Sequence, residues 1–350
     1  MLFFMIASLT LAGCTGATNA ASSWPGLNAD QEHAYVAFNQ FVYAINLSNG
    51  LEKWRFPIEA DNKVSFYATP ELSQDGQLLV GDYSNKLHSL NPATGTENWL
   101  FDDAKDRYIS GALAFNGRTY AANNGHQLYA LDPSGNLLWE FETEGPLWAK
   151  PTTDERCDCI YVPSMDHHMY AVDNETGELK WQSESLGGSI VGNPTMNEAG
   201  RIFFGTFGSE ILALDSQTGA AVWRTPTSEW VWSGPQLYQD QLFVGDLGGT
   251  FYALDSNTGT IEWQKQLDGS ITASPLITDD AIYIPTENGF LYALDLNGNN
   301  LWNKQFETKL HTTPVISGDL ILVAANGGDE LLYALETNGN QKWVFIPEKK

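Results

Sequence analysis

Eight tryptophans, Trp54, Trp99, Trp139, Trp181, Trp223, Trp263, Trp302 and Trp343, close eight versions of one phrase, of which YALDSNTGTIEW and YAVDNETGELKW are typical. Successive tryptophans stand 45, 40, 42, 42, 40, 39 and 41 residues apart. A sustained period of this size means that one supersecondary unit is stacked on copies of itself. A second marker runs in phase, a proline slot filled by Pro25, Pro70, Ala112, Pro151, Pro194, Pro235, Pro275 and Pro314. Each unit reads as four strands of four to seven residues separated by Asp, Asn and Gly turns; one such set is ITASPLI, AIYIPT, FLYALD and IEWQKQ. Sustained helical periodicity with caps is absent from the sequence. The expectation is an all-β chain, an eight-bladed β-propeller of four-stranded antiparallel blades, over residues 22–346.

The repeat accounts for many of its own residues. Asp132, Asp173, Asp215, Asp255 and Asp295 end a strand, where a carboxylate accepts hydrogen bonds from turn amides. Asn46, Asn91 and Glu336 hold the same place in the less regular units. An aspartate written five times in phase is a turn staple and not a catalytic acid. The tryptophan is a large apolar plate with one donor, suited to the wedge between blades. The alanine of YALD keeps neighbouring sheets close.

Residues 1–13 carry no charge and contain an apolar run, Leu2 to Ala12, which is too short to span a bilayer but the size of a signal-peptide core. The run ends in LAGC, which resembles a bacterial lipoprotein cleavage box, so Cys14 is expected to be lipidated. No Lys or Arg precedes the run, a departure from the usual pattern. A linker over residues 14–23 would then keep the propeller close to a membrane. Two further cysteines, Cys157 and Cys159, are one residue apart. An exported compartment permits a local disulfide in the turn before a strand; a redox couple and a metal site are the other readings, the latter without a second cysteine pair.

Charge narrows the functions. The chain has 18 Lys plus Arg and 43 Asp plus Glu, a net charge of -25, which argues against nucleic acid or an anionic surface as the main partner. No G-x-S-x-G elbow or H-E-x-x-H pair occurs, and the six histidines form no metal-ligand spacing. No catalytic, cofactor-binding or metal-binding residue is assigned.

The phrase YALDxxTGxxxW resembles the repeat of the pyrroloquinoline-quinone-like propeller family across essentially the whole chain after residue 22. One branch, the quinoprotein dehydrogenases, implies adjacent cysteines clamping a quinone and a Ca²⁺ site. Here Cys157 and Cys159 are spaced and no calcium loop stands out from the turn aspartates, so no enzyme and no cofactor are expected. The other branch comprises eight-bladed lipoproteins similar to BamB. A lipobox followed at once by eight blades fits that layout, and implies a monomeric scaffold on the periplasmic face of the outer membrane. Its partner would be the β-barrel assembly machinery, met by protein–protein contacts, with pairing along a blade edge as one physical means.

Residues that the repeat does not require carry the site expectation. Three positions before each proline slot stand Tyr67, Ile109, Trp148, Val191, Trp232, Thr272 and His311, on the strand expected to line the central channel. The preceding position is uniformly apolar: Phe66, Tyr108, Leu147, Ile190, Val231, Ile271 and Leu310. Alternation puts the two series on opposite faces. The binding candidates are therefore Tyr67, Trp148, Trp232 and His311, with Arg107 and Trp230 extending the rim. Aromatic residues and Arg are the types enriched in binding hot spots. The same plates suit sugar rings, so a carbohydrate-binding or sensor propeller at the cell surface is the alternative. The loops between second and third strands, such as DYSNK and TFGSE, read as a solvated rim.

Overall fold

The computed structural model describes residues 24–154 and 156–348. Within them 32 strands form eight separate sheets, each of four strands consecutive in the chain and antiparallel to their neighbours. These are the eight blades of a β-propeller: residues 26–56, 71–101, 113–142, 152–182, 195–226, 236–266, 276–305 and 315–345. The expected signal segment 1–13, the linker 14–23 and Cys14 lie outside the described residues.

Two expectations about strands need correction. The innermost strands begin after the proline slot and hold two to four residues, Leu276–Ile277 for example, where ITASPLI was expected to be one strand. Proline has no N–H to give the ladder, so pairing starts beyond it. The segment IEWQKQ also does not share a sheet with ITASPLI. It is the outer strand Ile261–Gln266 of the preceding blade, and Asn300–Gln305 closes the blade that contains Phe290–Leu294. A tight turn from Asp, Asn or Glu to Gly joins each third strand to the fourth that follows it, which fixes the grouping.

Each turn is built as its residues dictate. Asp255 Oδ1 accepts from the Asn257 and Thr258 amides and from the Thr258 hydroxyl, at 3.1, 2.8 and 2.8 Å. Gly259 then takes φ of 72°. The repeat alanine sits opposite the tryptophan in seven blades, as in Ala253↔Trp263, with Ser89 opposite Trp99 in the other, and the pairing register shifts one residue later in all eight. Such a bulge bends the outer strand and re-aims its side chains.

The bulge turns each tryptophan towards the next blade. Every repeat indole N–H donates to a turn carbonyl of the following blade, over 2.9–3.2 Å; Trp54 reaches Pro92, Trp181 reaches Ser216 and Trp263 reaches Leu296. The turn glycine of that blade lies flat on the same indole. A Cβ on any of the eight would fall 2.5–3.0 Å from ring atoms. The apolar core is accordingly divided into eight clusters, one at each joint between neighbouring blades. At the joint of blades 8 and 1, Thr312 Oγ1 donates to Pro25 and Ser317 Oγ to Asp30.

Candidate functional site

The segment that carries the chain from one blade to the next positions the site. In the crossing to blade 3, the Tyr108 amide donates to Asp82 of blade 2 at 3.0 Å, and the Arg107 carbonyl accepts from Asn124 of blade 3 at 2.9 Å. The same pair of bonds recurs at Leu147, Val231 and their neighbours, so the seven described crossings are held alike around the axis. The residue between the core and the proline slot is thereby forced inwards. The uniform series is at most 1% exposed. Tyr67, Ile109, Trp148, Val191, Trp232, Thr272 and His311 all line one central cavity of about 560 Å³. They do so from the crossing segments, not from strands, because the inner strands start later.

The cavity has aromatic walls on two sides. Trp148 and Trp232 lie 6.2 Å apart across Val191, and Phe207 links Trp232 (5.5 Å) to the rim residue Trp230 (5.1 Å, nearly parallel). Trp230 is 51% exposed. From the other side Trp24 meets Tyr67 edge-on at 5.5 Å and His311 at 6.5 Å. Tyr67 stacks on Tyr83 at 3.9 Å, and the Arg107 guanidinium lies 5.0 Å from the Tyr83 ring centre. Trp148 is fixed by donating its indole N–H to Asn124 Oδ1 at 2.8 Å. All six expected binding residues thus gather at one mouth, four in the cavity wall and Arg107 and Trp230 on its rim.

Part of the cavity lining is polar. Lys150 Nζ pairs with Glu71 at 2.9 Å, reaching from the entry to blade 4 over Gly111 of the blade 3 entry to blade 2. Asn28 of blade 1 approaches the same carboxylate at 3.5 Å. Burial raises the Glu71 pKa, and Lys150 pulls it back. His311 Nδ1 sits 3.3 Å from Thr272 Oγ1 and 3.5 Å from Glu287; burial lowers its pKa while Glu287 opposes the shift.

Sequence reasoning missed Tyr83, Phe207, Glu71 and Lys150. Tyr83 and Phe207 occupy equivalent places in the second-to-third-strand loops, where the other described units have Asn124, Met165, Leu247, Glu287 and Asn326, so the signal is an aromatic ring at a position that elsewhere varies. Glu71 and Lys150 flank proline slots where the other units have mostly small or uncharged residues. These loops are also not a purely solvated rim. Their opening residues Asp82, Asn123, Ser164, Thr206, Asp246 and Thr286 are fully buried. Asp246 shows why, since its carboxylate accepts from the Thr250 amide, the Glu229 amide and the Tyr252 hydroxyl.

Elsewhere, Cys157 and Cys159 are joined as a disulfide in the turn before the strand Cys159–Pro163, with Cα atoms 5.2 Å apart. His88 is held between Asp82 and Glu97, and His168 bonds the Ser183 carbonyl. Among the described residues no three His, Cys, Asp or Glu side chains are grouped to hold a metal ion.

Known proteins share this architecture. The family model described as "Outer membrane protein assembly factor BamB" matches residues 85–229, 170–300 and 269–348, together most of the chain. A protein of that name from Nitrosomonas eutropha is 27% identical over 103 residues, which are 29% of this chain and only 24% of the relative. The crystal structure of BamB from Moraxella catarrhalis superposes with a TM-score of 0.71 at 17% identity, covering 89% of this chain and 93% of that one. The computationally designed Ika8 protein gives 0.76 at 13% identity, covering 93% and 97%. At these identities the two structures speak for the fold alone.

Proposed function

Because the chain belongs to the family described as outer membrane protein assembly factor BamB, we propose that it is a protein-binding scaffold that helps assemble β-barrel proteins at the outer membrane. The family match over residues 85–348 carries this reading. The mouth supplies a contact face in physical terms: an exposed tryptophan backed by a stacked phenylalanine, with an Arg held over a tyrosine. Tyr67, Trp148, Trp232 and His311 line the cavity behind that rim. Anchorage through lipidated Cys14 would hold this face near the periplasmic side of the membrane. No catalytic step is part of the reading, and the repeated acids are occupied in turns.

The test is a photo-crosslinking residue in place of the exposed Glu229, beside Trp230, activated in native membranes, with the captured partner identified by mass spectrometry. A barrel-assembly protein as partner, with capture lost in Trp230→Ala, supports the reading. Capture of an unrelated complex overturns it, and so does a chain that captures nothing while correctly folded. A parallel Cys14→Ser variant that stays in membranes through a high-salt wash would remove the anchor from the proposal.

A further inference from the structure

We infer that the central cavity is a binding site for a neutral oligosaccharide, separate from the protein contact on its rim. Volume sets the first bound. About 560 Å³ falls in the usual range for small-molecule sites and would hold a few sugar rings.

Charge sets the second. Lys150 is the only Lys or Arg that lines the cavity among the described residues, and Glu71 already neutralises it at 2.9 Å. Inside the cavity, beyond Arg107 on the rim, an anionic ligand therefore meets no unpaired Lys or Arg, in a protein whose net charge of -25 repels it further. The lining carboxylates are likewise committed. Glu71 serves Lys150, and Glu287 lies 3.5 Å from both Lys309 and His311. A ligand cation finds no open counter-charge.

The remaining chemistry is that of flat apolar plates and uncharged hydrogen-bonding groups in one lining. Trp148 and Trp232 present indoles to the cavity. Asn28, Asn193, Gln236 and Ser274 line it together with the ion pair. A sugar ring has that division, with an axial C–H face that stacks on indole and equatorial hydroxyls that seek amides and hydroxyls. The aromatic path from Trp148 through Trp232 and Phe207 to Trp230 gives a longer chain a way out of the cavity in steps of 6.2, 5.5 and 5.1 Å.

The experiment is isothermal titration calorimetry of the purified full-length chain against maltotriose, cellotriose and triacetylchitotriose, with choline chloride and a neutral tripeptide containing phenylalanine as competitors. At least one sugar is expected to bind with a dissociation constant of about 1 mM or tighter. Trp148→Ala and Trp232→Ala are each expected to weaken it roughly tenfold or more, as loss of a stacking partner does. Trp148→Phe, which keeps a ring, tests whether the loss follows stacking and not folding, and should recover part of the affinity. Absence of heat for all three sugars overturns the inference. Sugar binding that both alanine variants retain in full overturns it as well, and so does binding of choline or the tripeptide alone. Because the titration uses the isolated chain, its result is independent of whether crosslinking finds an assembly partner.

Discussion

Trp343 donates its indole N–H to the carbonyl of Leu47 over 2.9 Å, joining residues 296 positions apart. Its ring also lies against Gly50, the turn glycine of the same blade. The bond that closes the propeller is therefore the bond made at each of the seven other joints. Replacing Trp343 by Phe keeps an apolar plate and removes the donor, and should cost about 1 kcal/mol in urea-unfolding free energy. Replacing it by Ala also removes the plate and should cost up to about 3 kcal/mol. Trp181→Phe, at an internal joint, is expected to lose as much as Trp343→Phe.

Two glycines separate backbone strain from packing. Gly76 has φ of 79° with nothing within 4 Å of an added Cβ, whereas Gly177 has φ of 72° with Trp139 ring atoms 2.6 Å away. Gly76→Ala should lose about 1 kcal/mol from the left-handed backbone alone. Gly177→Ala should lose more, by about 1–3 kcal/mol, because the indole must also move. Equal losses in a denaturant series would contradict the role given to the glycine–tryptophan contact.

Acid should loosen the turns. Asp132, Asp255 and Asp295 are held below the ordinary carboxylate value by bonds from the Asn136, Thr258 and Asn299 side chains respectively, together with turn amides; Asp173 is lowered first by Lys180. A pKa lower in the folded than in the unfolded chain gives stability that is present above the unfolded value, near 3.8, and lost as pH falls through the folded values. The melting temperature should drop below about pH 4. Asp255→Asn removes that group's titration, so the penalty of the substitution should be largest near neutrality and shrink in acid.

The Glu71–Lys150 pair predicts a thermodynamic cycle. Lys150→Met leaves a largely buried carboxylate without its cation and should cost about 1–2 kcal/mol, discounted because the lysine side chain is 31% exposed. Glu71→Gln added to it should restore much of that loss. Additive losses in thermal or urea melts would show that the two residues do not act as a pair.

The periodic parts of the molecule were legible in the sequence because one solution is written eight times. The tryptophan, the turn aspartate and the glycine each need only a local reading, and in the structure each does one job at every joint. The ring of Tyr67, Trp148, Trp232 and His311 was legible for the opposite reason, as variation at a fixed offset from a slot that is proline in seven of eight units. Glu71 and Lys150 were not paired, since they are 79 residues apart and meet only because blade 3 places Gly111 between them. Inner-strand length was misread because apolar character continues through the crossing segment, where it serves the core without joining the sheet. Grouping IEWQKQ with the following unit failed because period alone does not say where one unit stops; the turn after YALD does.

Blade 1 and blade 8 each own all four of their strands. No strand is lent across the seam, so the order in which the modules appear along the chain is mechanically arbitrary. A circular permutant opened in an exposed stretch between two other blades, such as residues 58–63 between blades 1 and 2, with residues 348 and 24 spliced by a short linker, would preserve every sheet and all eight tryptophan docks. Any tether added ahead of the new first residue would sit at a different angular position on the ring, turning the facing of the mouth into a quantity that can be set by choice of breakpoint.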